Sequence, residues 1–114
     1  MTAPTPTPGP WVVRYDTDVF TALGGARADG DLAPPTDGWQ VADCSVGSCF
    51  IDGFEYELSY TEKRANARLI AAAPLMLEAL LLENEGIESG DYDTQCRARE
   101  ARIAAIAAAT GESK

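Results

Sequence analysis

Few side chains in this sequence have the type and spacing that chemistry needs. Cys44 and Cys49 are separated by four residues, and a thiol pair at short spacing is where a zinc site or a disulfide would begin. A zinc site needs a second Cys or His pair. The chain has no histidine and only one more cysteine, Cys96, so a fourth ligand is missing. A Cys44–Cys49 disulfide could close a short loop. An odd number of cysteines fits a reducing compartment better than an oxidised scaffold, so two plain thiols are expected. Glu55 and Glu57 are carboxylates on one strand face, and a glycosidase pair needs that kind of convergence. A solvated strand face is charged in any case. Lack of histidine also removes the usual general base. Gly24-Gly25 and Gly86 have neither the Lys-Ser/Thr of a phosphate loop nor dinucleotide-binding spacing. The expectation is a protein without catalytic, cofactor-binding or metal-ligating residues, and not an enzyme.

Charge narrows the partners. Eighteen acidic and nine basic residues give a net charge of −9. Residues 1–61 hold nine acidic and two basic side chains, a net −7; residues 62–114 hold nine and seven, a net −2. Direct nucleic-acid binding needs cations facing phosphates, and docking on anionic lipid needs the same, so neither is expected. An acidic chain is soluble through self-repulsion. Its acidic half can also attract a partner protein with a basic surface. No signal peptide and no apolar run of about 18 residues is visible, which points to the cytoplasm.

The elements that would position these groups follow from periodicity. Residues 1–10, rich in Pro and Thr, read as an extended, disordered tail. Residues 11–114 read as one domain, with a sheet part at 11–60 and a helical part at 61–111. Strands are expected at Trp11–Tyr15, Val19–Leu23 and Trp39–Cys44, with a Gly/Pro/Asp-rich loop before the third. Cys49–Ile51 and Phe54–Tyr60 flank Asp52-Gly53, a pair suited to a type I′ hairpin turn. Phe54, Tyr56, Leu58 and Tyr60 alternate with Glu55, Glu57 and Ser59, which predicts a covered face and a wet, acidic one. Thr61 is the expected cap of a first helix that bends near Ala73, because Pro74 lacks a donor. The second helix is expected to end near Asn84, with Gly86 as its C-cap. A third runs from Thr94 to Ala109, closes at Gly111, and carries an apolar stripe of Cys96, Ile103, Ile106 and Ala107. The fold class is α+β: a three- to four-stranded antiparallel meander followed by two or three packed helices.

The second helix has a surplus. Leu75, Met76, Leu77, Leu80, Leu81 and Leu82 cover nearly its whole circumference, leaving Glu78 and Ala79 on the narrowest gap. A helix apolar all round must be buried on most sides. One side can take the sheet and another the C-terminal helix; a third calls for complete internal burial, a homodimer or a foreign partner. Leu75, Met76, Leu81 and Leu82 are the candidate interface.

Ala65-Asn66-Ala67-Arg68-Leu69-Ile70-Ala71-Ala72-Ala73-Pro74, followed by Leu77-Glu78-Ala79-Leu80, resembles a recurrent segment in small proteins of tailed bacteriophages and prophages. The layout is similar over roughly residues 11–111: an early Trp-Val strand, a middle strand with Val41-Ala42, this helix, then an Ala/Arg-rich terminal helix. The chain departs at Leu75, where those proteins commonly have an acidic residue. The resemblance carries over no catalytic residue. Asn66 and Arg68 are the motif's polar letters. The structural reading has Asn66 bonding a neighbouring backbone group and Arg68 covering the sheet or pairing with an acid; the functional one has an Arg reaching a partner's acid or phosphate. The resemblance implies an accessory phage protein of the bacterial host cytoplasm that acts by protein–protein binding to a host or phage protein with a basic surface, including inhibition of a bacterial defence system in an anti-CRISPR-like or other anti-defence manner. The alternatives are a self-associating structural or assembly protein of the phage particle, and a binder of small nucleotide signals.

Overall fold

The computed structural model describes residues 5–111. Five strands precede three helices: β1 Trp11–Arg14, β2 Asp18–Thr21, β3 Gln40–Asp43, β4 Ser48–Ile51, β5 Phe54–Glu57, α1 Tyr60–Ala71, α2 Ala73–Ser89 and α3 Tyr92–Thr110. The class is α+β, and the strands divide into two sheets. β1, β2 and β3 form one antiparallel sheet in that order, and β4–β5 is a separate hairpin. Asp52 (φ 52°) and Gly53 (φ 84°) supply the two positive φ values of its turn.

The three-stranded sheet is organised by Thr21, which is 1% exposed. Its hydroxyl accepts from the Trp39 backbone N–H at 2.9 Å and donates to the Ala22 carbonyl at 3.1 Å. Trp39 Nε1 donates to the Gly25 carbonyl at 3.0 Å. These bonds pull the Gly/Pro/Asp-rich segment into an ordered loop, where Arg27 lies over the Trp39 ring and pairs with Asp29 and Asp31.

α1 is capped by Ser59, two residues before the expected Thr61, with the Ser59 hydroxyl accepting from Glu62 N–H. α1 and α2 meet at Ala72 with a bend of 43°. Pro74 sits in the first turn of α2, where a missing donor does no harm. α2 then runs past Gly86 to Ser89. Gly90, at φ 68°, is the C-cap, whereas Gly86 is buried inside the helix. A Cβ at Gly86 would meet Gln95 Cγ at 3.1 Å, so glycine there serves close helix approach. α3 is capped by Asp91 and closed by Gly111.

α2 and α3 form an antiparallel helical hairpin whose seam is made of small side chains: Ala79 and Gly86 on one helix, Thr94, Ala98 and Ala105 on the other. Two expectations are overturned. Ala79 lies at the most buried position of α2, and the Ile103 and Ile106 stripe of α3 is exposed. Small residues let the axes approach, and whatever packs best at the seam excludes the larger ones. α2 packs mainly on α3; α1 is the helix that contacts β1, β2 and β3 most.

The interior is correspondingly poor. Of the seven buried apolar residues among those described, six are alanine, and Val19 is the seventh. The radius of gyration is 17.0 Å, against about 13 Å for a compact domain of this length. The accessible surface is 8088 Å², against about 6,000 Å² for a folded monomer of 12.1 kDa.

Candidate functional site

Exposed large apolar side chains gather at two seats. The first is the outer side of α2. At about 100° per residue, Leu77, Leu80 and Leu81 point roughly 100–200° away from Ala79, that is, away from α3. They are 49%, 67% and 61% exposed. Of the expected interface residues, Leu81 lies on this ridge. Leu75 is exposed nearer the α2–α3 seam, and Met76 and Leu82 are half-buried along its flanks. Leu77 and Leu80 belong to the surface instead. Nothing in the residue types distinguishes them from core leucines; the position of the alanine seam does.

Beside that ridge an open groove of about 920 Å³ runs between the N-terminal segment and the helical hairpin. Leu77, Leu81 and Leu82 form its apolar floor, Glu78, Glu85 and Glu100 its acidic rim, with Arg97 among them. Pro6 to Gly9 form its far wall, held by Trp11, whose Nε1 donates to the Thr7 carbonyl at 3.1 Å. So the described part of the expected disordered tail lies along α2; residues 1–4 lie outside the described residues.

The second seat is the β4–β5 hairpin. Cys49 pairs with Tyr56 and Ile51 with Phe54, so these four share one face; Ser48, Phe50, Glu55 and Glu57 share the other. All eight are exposed. Glu55 and Glu57 thus stand on a wet face as expected, but the covered face predicted for Phe54 and Tyr56 is not covered. The hairpin is held at its base: Leu58 N–H donates to the Gly47 carbonyl at 2.9 Å, Lys63 lies 3.8 Å from Glu57, and Tyr60 Oη donates to Asp16 at 2.7 Å.

The motif polar residues are not brought together with either seat. Asn66 is exposed beside a shallow hollow lined by Asp43, Cys44, Val46, Leu69 and Ile70. Arg68 lies against the C-terminal end of α3, where a Cβ on Gly111 would meet its Nε at 2.7 Å. That Nε is buried and has no hydrogen-bond partner among the described residues. A guanidinium is well placed beside the carbonyls that end a helix. At the edge of the hollow, Asp18 opposes Asp43 across β2–β3. Desolvation and the neighbouring Asp43 raise the Asp18 pKa, while hydrogen bonds from Ser45 hold Asp43 below the usual carboxylate range. Burial and then the two aspartates push the Cys44 thiol up, away from the reactive thiolate. Cys44, Cys49 and Cys96 are free. Among the described residues no cluster of three metal-ligating side chains occurs, and no single helix is long and apolar enough to cross a membrane.

A family model described as Salmonella phage P22 protein Y8K6 matches residues 1–113. No curated protein and no solved structure matches the chain.

Proposed function

The chain belongs to the Salmonella phage P22 protein Y8K6 family, and from that premise we propose that this phage protein is an accessory factor that works by protein–protein contact, with a homodimer as its working form. The observation that carries the reading is the inversion at the centre of α2: Ala79 is buried, while Leu77, Leu80 and Leu81 are exposed. Leu77, Leu80 and Leu81 form a ridge on α2, and two such ridges meeting across a two-fold axis would make a four-helix bundle from two helical hairpins. The surface in excess of a compact monomer is of the order of 2,000 Å² per chain. A standard interface takes about 800 Å² per partner, so self-association and a further contact both fit within it. Binding, and not catalysis, is the role we assign, in the host cytoplasm, with a bacterial defence complex as the partner class.

Light scattering on the purified protein at ~100 µM tests the dimer. Two chains of 12.1 kDa are expected in the particle, and a strict monomer overturns it. Growth of a deletion phage on hosts with and without defence systems tests the role; equal growth on all of them refutes the anti-defence reading.

A further inference from the structure

The β4–β5 hairpin has a property that the α2 ridge lacks: an open backbone edge whose own charged side chains, Glu55 and Glu57, are both acidic. The two-residue turn makes Ile51 and Phe54 exchange both ladder bonds, and alternation then gives the same role to Cys49 and Tyr56. The Leu58-to-Gly47 bond continues that alternation. The N–H and C=O groups of Glu55 and Glu57 therefore point outward along the free side of β5. Neither strand of the hairpin is paired with the three-stranded sheet. A two-stranded hairpin exposed on both faces is marginal in water, and its edge is a template for another strand.

We propose that the outer edge of β5 is a strand-addition site for an extended segment of a partner protein, one that alternates basic with apolar side chains. The proposal rests on the protein–protein reading above and names the contacting element. A strand added beside β5 places every second side chain on the Glu55/Glu57 face and the others beside Phe54 and Tyr56. Lysine or arginine fits the first set and aliphatic residues the second. Lys63, 3.8 Å from Glu57, is the basic group already there and leaves Glu55 unpaired among the described residues. A second copy is a poor occupant. Two-fold registers that pair most of β5 with itself set Glu55 opposite Glu55 or opposite Glu57, and directly opposed like charges destabilise a sheet.

The test uses the full chain and a synthetic peptide of about eight residues, a common strand length, alternating lysine with valine. Hydrogen exchange is followed in its presence and absence at 0.15 M salt. Expected are slowed exchange at the Glu55 and Glu57 amides, no such effect from a block peptide of equal composition, and binding weakened about tenfold or more by Glu55→Lys with Glu57→Lys. A peptide alternating glutamate with valine should bind that double variant better than it binds the parent. Light scattering on the variant should show an unchanged mass, which separates failure here from failure of the α2 dimer. Equal binding of the block peptide, protection confined to α2 and α3, or no binding would overturn the proposal. So would Glu55 and Glu57 amides already protected without peptide, because a second copy would then hold the edge.

Discussion

Truncating Leu81 to alanine should dissociate the protein without unfolding it. Full burial of a leucine side chain is worth about 1.5–3 kcal/mol. Leu81 keeps 61% of its surface exposed in the single chain, so roughly 0.9–1.8 kcal/mol remains for an interface to gain. A two-fold axis counts the side chain twice, giving about 2–4 kcal/mol per dimer, or a dissociation constant raised about 30- to 700-fold. The cost to the isolated chain is small, because little of the side chain is buried there. Sedimentation velocity over a concentration series, with circular dichroism on the same samples, reads both quantities. A dissociation constant within about threefold of the parent, in a variant with unchanged helicity, would refute the assignment of the α2 ridge as the interface.

Two further outcomes follow from the three-stranded sheet. Thr21→Val keeps the shape but leaves the Trp39 N–H without its acceptor, so urea denaturation should show a loss of about 1–3 kcal/mol, with Thr21→Ser recovering part of it. Asp18 has a raised folded pKa, so the native state takes up its proton before the unfolded chain does; wild-type stability gains as pH falls through that pKa toward the unfolded value. Asp18→Asn should therefore be more stable than the parent at pH 7, with the difference shrinking toward pH ~4, and a pH-independent difference in urea midpoints would refute it.

Local chemistry was legible in the sequence, and long-range choice was not. Asp52-Gly53 announced its turn, Gly111 its cap and Pro74 the bend, because each depends on a residue's own backbone preferences. The alternation of Phe54, Glu55, Tyr56 and Glu57 was read correctly as strand, yet it cannot say whether anything lies beneath the aromatic side. The same limit governs α2. A helical wheel ranks Leu80 above Ala79 as a core residue; the structure reverses them because α3 offers alanines of its own, and two alanine faces approach more closely than a leucine face allows. Gly86 was misread as a terminator for the related reason that a glycine admitting Gln95 looks identical in sequence to one that ends a helix. The groove beside α2 escaped notice because its far wall, Pro6 to Gly9, belongs to a stretch whose composition predicts no packing.

The alanine seam also sets how this protein responds to heat. Exposure of apolar surface on unfolding is the source of the heat-capacity change, and a chain whose fully buried apolar residues, among those described, are six alanines and one valine has less left to expose. The lone chain should fall below the usual 12–15 cal/mol/K per residue, with a flat stability curve and a shallow melt. Most of the curvature would enter with association, so the melting temperature would climb with protein concentration. For a phage protein that associates in this way, heat tolerance would become a function of copy number.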